Sequence, residues 1–405
     1  MSIKRIFIKV VLVLILGGIS SAAQEPNNSF VTRNEYENLR TELDTVKNQL
    51  SRLDKTAEAS GLGYTKMLIA GDAAAGYFDE SDSPSSFTSE FNPMFLWQLN
   101  DRLFFEGGLE IAIEGPDENG EDSQSDFELD SAYFAYFLND YISIGAGKFS
   151  TPFTVYHRHF DPSWINGLPF DPLAYADGGI APDSSVGIFA TGAIPINHSI
   201  VNYVAYLTNG PALIINDSSS AGSLNFDNYS DQNNNKAFGF RLGYLPFRAL
   251  EIGYSFQYSK PNPSNFQTVH SYLHGLDLNY VKENDYLRGR VTGRFGWIWS
   301  QLDTAIYPAV TPSRFNNDRN GGYAEVAYRP TKAYENWLKN LEFVLRYDKL
   351  DISSQAPGGG KESRWIPGID YWLTPRTVLK TAYAFDNREN SEDNNIFALQ
   401  LATGF

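Results

Sequence analysis

Hydrophobic and polar residues alternate with a period of two along most of the chain after residue 64. Because successive side chains of a β-strand point to opposite faces, this period predicts strands that each have one apolar face. Sixteen such segments are separated by clusters of turn-forming residues. They span residues 66–78, 88–99, 102–114, 127–138, 141–150, 185–195, 199–209, 236–246, 249–260, 270–282, 286–300, 320–330, 340–350, 364–373, 377–386 and 395–405.

The connections between these predicted strands alternate between short and long. Short turns such as Asn100-Asp101 follow the even-numbered strands, and long stretches rich in Asp, Asn, Ser and Gly, such as 210–235, follow the odd-numbered ones. The link 331–339 is the exception, a longer connection on the short-turn side. An even number of antiparallel strands with this alternation is typical of a closed transmembrane barrel, which we expect over residues 64–405.

The composition is compatible with such a barrel and excludes a helical membrane bundle. No apolar run of 18 residues follows the N-terminal region, and the mean hydropathy is negative although 15% of the residues are aromatic. A soluble β-sandwich or propeller would need polar residues on its outer face, whereas alternate residues of 250–258 are all Leu, Ile, Tyr or Phe. Cysteine is absent, which excludes disulfides and Cys-based metal or redox sites.

Residues 1–23 have the features of an export signal. Three basic residues precede the apolar run 10–16, and the small residues 21–23 follow it. The apolar run is too short to serve as a membrane anchor. Removal of the three basic residues would change the formal net charge from −16 to −19. Such an acidic protein disfavours nucleic acid as a partner and suits divalent cations that bridge to anionic lipopolysaccharide.

Residues 24–60 contain a predicted helix before the first strand. Thr32 and Glu35 form a capping box, and apolar residues then follow with heptad spacing. The heptad positions are Tyr36, Leu39, Leu43, Val46, Leu50 and Leu53. We expect a short periplasmic coiled coil between the subunits of a homotrimer. The alternative is an amphipathic helix that packs on its own barrel.

The last segment of the chain, 394–405, reads NNIFALQLATGF, with apolar or small residues at alternate positions up to Phe405. This pattern resembles the assembly signal of bacterial outer-membrane β-barrels. The resemblance implies that the barrel-assembly machinery recognises the chain through Phe405, and that the protein resides in the outer membrane of a Gram-negative cell.

A second resemblance is more specific. The run 141–153, YISIGAGKFSTPF, looks like the entry from barrel wall to third external loop in the phosphate-selective porin group and related 16-stranded porins, and 127–136 resembles the preceding strand. The resemblance covers the rest of the barrel by architecture alone. It implies that residues 151–184 form a constriction loop inside the lumen. Phe160, Trp164 and Phe170 can anchor this loop by packing, and the alternative is a loop that folds outward as a lid.

The predicted constriction loop departs from the phosphate-selective pattern, in which Lys and Arg concentrate at the narrowest point. It carries basic or titratable side chains and also several carboxylates, so a phosphate filter is disfavoured. The candidate loop residues are His157, Arg158, His159, Asp161, Asp171 and Asp177. His157 and His159 share a face if the backbone is extended, but two ligands do not make a metal site, and we expect none.

Strand parity predicts which charges face the lumen. On the third predicted strand, the apolar residues at odd positions face lipid, so Glu106, Glu110 and Glu114 should point inward. On the eleventh, the same reasoning places Arg288, Arg290 and Arg294 inward, half the circumference away, and Arg241 and Arg346 add to this basic side. The sequence therefore predicts an acidic wall that faces a basic wall across the channel.

These features together indicate an outer-membrane porin that conducts small hydrophilic solutes and ions by passive diffusion. The alternative is a substrate-specific channel for a siderophore, phosphate or another anion, without a plug domain, because too few residues precede the first strand to form one. An enzyme is disfavoured, since neither Gly-x-Ser-x-Gly nor His-Glu-x-x-His accompanies the five histidines. No cofactor is expected.

Overall fold

The computed structural model describes residues 66–113, 125–176, 178–226, 234–311 and 313–405. The predicted signal segment 1–23 and helical segment 24–60 lie outside this range. The strands are β1 Lys66–Glu80, β2 Ser86–Gln98, β3 Leu103–Ile113, β4 Ser125–Phe137, β5 Ser143–Ser150, β6 Ser184–Ile196, β7 Ser199–Thr208, β8 Ala212–Leu213, β9 Leu224–Asn225, β10 Ala237–Phe247, β11 Leu250–Ser259, β12 Ser271–Asn284, β13 Gly289–Leu302, β14 Ala305–Ile306, β15 Arg314–Phe315, β16 Arg319–Arg329, β17 Leu341–Ile352, β18 Gly360–Thr374, β19 Thr377–Arg388 and β20 Ile396–Gly404.

Sixteen of these strands form a closed barrel in the order β1-β2-β3-β4-β5-β6-β7-β10-β11-β12-β13-β16-β17-β18-β19-β20. The predicted number of barrel strands and their sequence of pairing are therefore confirmed. Two small hairpins, β8–β9 and β14–β15, lie in the long loops and were not predicted. A π-helical turn, Tyr156–Phe160, and a short helix, α1 (Asn336–Lys339), complete the regular structure among the described residues.

The barrel closes where β20 pairs with β1, as the pattern of the last segment predicted. Phe405 N donates to Gly71 O at 3.0 Å, and Gly71 N donates to Phe405 O at 3.3 Å. Gly71 has a φ of +150°, and a Cβ at this position would lie 2.2 Å from Asn92 O. Only glycine fits this close approach of two backbones.

Alternation of exposure along the strands separates an outer and an inner face. On β11, Ile252 and Tyr254 are exposed on the outside, whereas Ser255 and Gln257 are buried on the inside. This agrees with the predicted apolar outer face and leaves polar side chains for the lumen. No helix among the described residues is long and apolar enough to cross a membrane.

Contacts divide the chain into two compact units. One comprises residues 1–68 and 97–104, of which the structure describes 66–68 and a turn. In that turn, Asn100 Oδ1 accepts hydrogen bonds from Arg102 N at 2.8 Å and Leu103 N at 2.9 Å. The other unit comprises residues 69–96 and 105–405 and contains the candidate site. We call the end of the barrel with short turns the turn end and the opposite end the loop end.

Candidate functional site

Residues 151–183, which we call loop 3, join β5 to β6 and pack against the inner wall of the barrel. The aromatic rings of Phe153, Tyr156 and Tyr175 are buried in one cluster with wall residues from β12, β13 and β16. These wall residues are Leu273, Ile298 and Tyr323. Because large apolar side chains on an inner face need apolar partners, the wall here is built to receive the loop. Loop 3 therefore packs on the inner face of the barrel wall.

The predicted aromatic anchors of loop 3 each find a partner. Phe160 belongs to the same cluster as Tyr156, Trp164 packs against the cluster of Ala74 and Val378, and Phe170 packs against the cluster that includes Leu168. The wall leaves room for Leu168, since a Cβ on Gly368 would lie 2.5 Å from Leu168 Cδ2. Loop and wall thus interlock at several points along the barrel.

Four wall side chains also hold the backbone of loop 3, and we call Asp72, Arg294, Arg346 and Lys380 the loop cradle. Arg294 Nη2 donates to Ile165 O at 3.3 Å, and Arg346 Nη2 donates to Phe170 O at 2.9 Å.

The other two cradle residues, Lys380 and Asp72, bind loop residues Ser163 and Leu168. Lys380 Nζ donates to the carbonyls of Ser163 and Leu168. Asp72 Oδ2 accepts hydrogen bonds from Ser163 N at 3.0 Å and Ser163 Oγ at 2.5 Å. These charge-assisted bonds are buried, so they fix the path of residues 163–170 more firmly than exposed bonds would.

Internal hydrogen bonds give loop 3 its own shape. Tyr156 Oη donates to Asp171 Oδ1 at 2.7 Å, and Asn166 Nδ2 donates to Tyr156 Oη at 3.0 Å. The π-helical turn begins at Tyr156, whose carbonyl accepts a bond from Asp161 N at 3.2 Å. Such turns recur at functional positions because they redirect side chains. Here the turn buries the ring of His157.

His157 is held between carboxylates. Its Nδ1 lies 3.9 Å from Asp161 Oδ1 and 3.8 Å from Asp183 Oδ1, and its side chain is 6% exposed. Burial alone lowers the pKa of His157, but Asp161, Asp183 and Asp171 outweigh burial and raise this pKa to about 9. His157 is therefore a cation at neutral pH that ties the start of loop 3 to its end.

The next two residues, Arg158 and His159, are exposed on the opposite side of the turn. Arg158 interacts electrostatically with Glu106 and Tyr133 on the β3–β4 side and with Glu251 on β11. Tyr133 Oη in turn donates to Glu106 Oε2 at 2.8 Å. The turn thus presents a guanidinium towards an acidic part of the wall.

That acidic part extends over β2, β3 and β4. Four inward carboxylates there, which we call the acidic row, interact electrostatically as like charges along this wall and with Asp161 of loop 3. They are Glu90, Glu106, Glu110 and Asp130. Glu106 and Glu110 are two of the predicted acidic residues. The third, Glu114, lies outside the described residues, as does Asp177 of loop 3.

The predicted basic side is different from the expectation, because its arginines are paired with carboxylates. Arg241 Nη2 lies 2.6 Å from Asp277 Oδ1, and Arg346 Nε lies 2.9 Å from Asp348 Oδ1. The other pairs are Arg294 with Glu325 at 3.3 Å and Arg290 with Glu342 at 3.6 Å. This side is therefore nearly neutral.

Sequence reasoning missed these carboxylates, although strand parity could have found them. Asp348 is two residues from Arg346 and so shares its face. Glu325 is the cross-strand partner of both Arg294 and Arg346 in the barrel register. Opposite charges at such positions stabilise each other and do not form a row of free charge.

The placement of Arg288 on the inner face was wrong. Strand β13 begins at Gly289, and Arg288 lies in the preceding turn with a φ of +53°. Its side chain is exposed at the turn end, where the guanidinium carbon lies 4.7 Å from the ring centroid of Tyr334 and Nη2 donates to Lys332 O at 3.1 Å. The alternation of apolar and polar residues continues through this turn, so the predicted strand began too early.

The described residues contain no group of three or more His, Asp or Glu side chains placed to hold a metal ion. His157 and His159 face different surroundings, since His157 is held between carboxylates and His159 is exposed.

No protein-family model matches this sequence, and no curated protein sequence matches it. Solved structures do share its fold. OmpF from Salmonella typhi in complex with daunomycin is 12% identical, with 84% of this chain and 98% of that chain covered and a TM-score of 0.55. An anion-selective porin from Comamonas acidovorans is 12% identical, with 84% and 100% covered and a TM-score of 0.52. OmpT of Vibrio cholerae in its trimer form is 9% identical, with 84% and 99% covered and a TM-score of 0.52.

At these identities the similarity shows the fold alone: the chain has the closed sixteen-stranded fold of outer-membrane porins. A closed barrel with an apolar outer face satisfies all its backbone groups within a membrane. The predicted outer-membrane localisation is therefore confirmed. Membership of the phosphate-selective group does not follow from these similarities.

Proposed function

We propose that the protein is a passive diffusion channel for small hydrophilic solutes and ions, narrowed by loop 3. The observation that carries this proposal is the position of loop 3. It packs on the β12–β20 side of the inner wall and directs Arg158 towards the acidic row. A solute that crosses the barrel would pass between these groups.

The charges around this passage favour cations and zwitterions. The arginines of the β12–β20 side are paired with carboxylates or directed to the carbonyls of loop 3, whereas the acidic row has four carboxylates, of which Glu106 interacts with Arg158. Charged side chains that line a narrow aqueous pore set its ion preference. The transverse field predicted from the sequence thus runs between the acidic row and loop 3, and Arg288 has no part in it.

The same charges disfavour the alternative of a phosphate or other anion channel. Arg294, Arg346 and Lys380 are the basic residues such a filter would need, and their donors are directed to the loop backbone. A siderophore channel has no specific support from the described side chains.

Several further proposals concern assembly. Residues 1–23 would direct export, and residues 24–60 would form the periplasmic coiled coil. Phe405 would serve the barrel-assembly machinery, and bridging cations would bind lipopolysaccharide at acidic loops. A homotrimer is supported by the trimer form of the structurally similar OmpT of Vibrio cholerae.

The proposal is tested with purified protein in planar bilayers under a KCl gradient. We expect conductance that rises in proportion to salt concentration and a reversal potential of the sign for cation preference. The double variant Glu106→Gln/Glu110→Gln should move the reversal potential towards zero, because two carboxyl groups of the acidic row are lost. Arg288→Gln is the matched control and should change neither quantity, because Arg288 lies in a turn.

Absence of channels would refute the proposal. Conductance that saturates with a low concentration of one solute would instead support a substrate-specific channel. An unchanged reversal potential in the double variant would show that the acidic row does not line the conducting path.

A further inference from the structure

Arg319 stands apart from other arginines on the inner face of the barrel. Five of these have a carboxylate oxygen within 3.3 Å, and they are Arg241, Arg294, Arg346, Arg364 and Arg388. Arg319 begins β16 at the loop end and is 7% exposed. It has no carboxylate partner among the described residues, and the phenol of Tyr307 is the one titratable group there with which it interacts. A buried charge without a counterion is strongly unfavourable.

The guanidinium of Arg319 is also incompletely hydrogen-bonded. Its Nε donates to Asn317 Oδ1 at 3.1 Å. Its terminal nitrogens have no hydrogen-bond partner among the described residues, yet they are not among the buried polar atoms sealed from solvent. Two parallel donors of a guanidinium are therefore accessible, in the geometry that matches two oxygens of a carboxylate or phosphate.

The surroundings fix Arg319 in place. Asn317 is fully buried and bridges two elements, because its Nδ2 donates to Gly222 O in the loop between β7 and β10 while its Oδ1 accepts from Arg319. Gly222 has a φ of +90°, and a Cβ there would lie 2.6 Å from Asn317 Nδ2. Glycine at 222 thus allows the contact that orients the guanidinium.

The phenol of Tyr307 lies beside Arg319. Tyr307 is 0% exposed, stacks on Phe315 with 4.6 Å between ring centroids, and its phenol interacts with Arg319 and Asn317. Both rings belong to an apolar cluster formed by the loops at the loop end, together with Leu213, Ala221, Val269 and Ala356. An apolar enclosure strengthens the attraction between the guanidinium and any anion that reaches it.

We propose that Arg319 forms an anion-binding site at the loop end of the lumen, which takes one oxyanion or carboxylate through the two terminal nitrogens of its guanidinium. The site is distinct from the passage beside loop 3 and does not depend on the proposed channel activity. An anion there would supply the counterion that Arg319 lacks among the described residues.

The test is isothermal titration calorimetry of the full-length folded protein in detergent, with sodium phosphate as the probe at constant ionic strength. Sodium acetate in a parallel titration tests a carboxylate, and sodium chloride controls for ionic strength. Saturable binding of phosphate or acetate is expected. Arg319→Gln should weaken it roughly tenfold or more, as expected for the loss of a charge-assisted pair. Arg288→Gln, which removes an exposed guanidinium at the turn end, should leave it unchanged.

Gly222→Ala provides a second variant that keeps the guanidinium but disturbs Asn317, and it should also weaken binding. If Arg319→Gln lacks the heat-modifiable gel mobility of a folded barrel, anion binding by Gly222→Ala decides whether Arg319 forms the site. The proposal is overturned if neither anion binds the unaltered protein, or if both variants bind as it does. Because binding is measured without a membrane, failure of the channel assay would leave this result unaffected.

Discussion

The two sides of the lumen use charge in opposite ways. On the β12–β20 side, basic groups of the loop cradle are buried or partly buried, and their donors are directed to loop 3 or to neighbouring carboxylates. On the β2–β4 side, the acidic row remains in the lumen, and Glu110 is exposed. The first side has the larger number of charged residues but little net charge, and the second has fewer residues but a clear excess of one sign.

This difference shows that the effect of an inward charge depends on the groups that surround it. Arg346 is completely buried beneath loop 3, so it contributes to the position of the loop and not to the field that a passing ion meets. Glu106 has a hydroxyl donor, Tyr133, and no cation within ion-pair distance among the described residues, so in the proposed channel its carboxylate would act on a passing ion. In the proposed channel, one side would set the width of the passage and the other its ion preference.

The largest effect is expected from breaking the cradle at Arg346. Arg346→Met removes the ion-pair partner of buried Asp348, which costs about 3–5 kcal/mol, and removes the bond to Phe170 O. Loop 3 should detach from the wall. Single-channel recordings should show a larger and noisier conductance with little change in ion preference, and protease should cleave residues 163–170 faster.

The double variant Arg346→Met/Asp348→Leu is the control for the buried charge. It removes both members of the pair and should restore part of the original conductance, because no unpaired charge remains. If Arg346→Met changed ion preference strongly and left conductance as it was, Arg346 would belong to the passage and the comparison of the two sides would fail.

A smaller effect is expected from filling the space that receives Leu168. In Gly368→Val, the first added carbon alone would lie 2.5 Å from Leu168 Cδ2, and overpacking of this kind costs about 1–3 kcal/mol. The conductance should increase less than in Arg346→Met. Gly293→Val is the matched control, since the nearest atom to its Cβ, on Tyr280, is 3.9 Å away. Equal effects of the two substitutions on conductance would contradict the interlocked contact of loop and wall.

The sequence predicted the barrel well because each strand repeats one simple rule. Apolar residues at alternate positions, with turns between them, placed all sixteen barrel strands close to their observed bounds, including the pairing of Phe405 beside β1. Where the rule failed, a local feature overrode it. Arg288 has a positive φ in the turn before β13, so the strand begins only at Gly289, and nothing in the alternation marked that turn.

The candidate site was less predictable because it depends on contacts between distant segments. Parity indicated that Arg294 and Arg346 point inward, but not that loop 3 covers them. That contact joins residues more than a hundred positions apart, and no periodic pattern encodes it. The carboxylate partners were easier to predict, because Glu325 lies directly across from both arginines in the register of the paired strands.

The smallest effect is expected from pH acting on His157. Burial lowers the pKa of this side chain, but Asp161, Asp183 and Asp171 outweigh burial and raise the pKa to about 9, above its usual value near 6.5. A raised pKa means that the protonated group stabilises loop 3 fully below pH 6.5 and that this contribution is lost as the pH rises through 9. The cradle still holds residues 163–170, so only the π-helical turn should loosen.

We expect channel noise to increase between pH 8 and pH 10, with a smaller change in mean conductance than in Gly368→Val. The variant His157→Gln cannot carry the charge and should show the noisier behaviour at every pH. If its channel noise instead changed with pH as in the unaltered channel, the titrating group would be another residue.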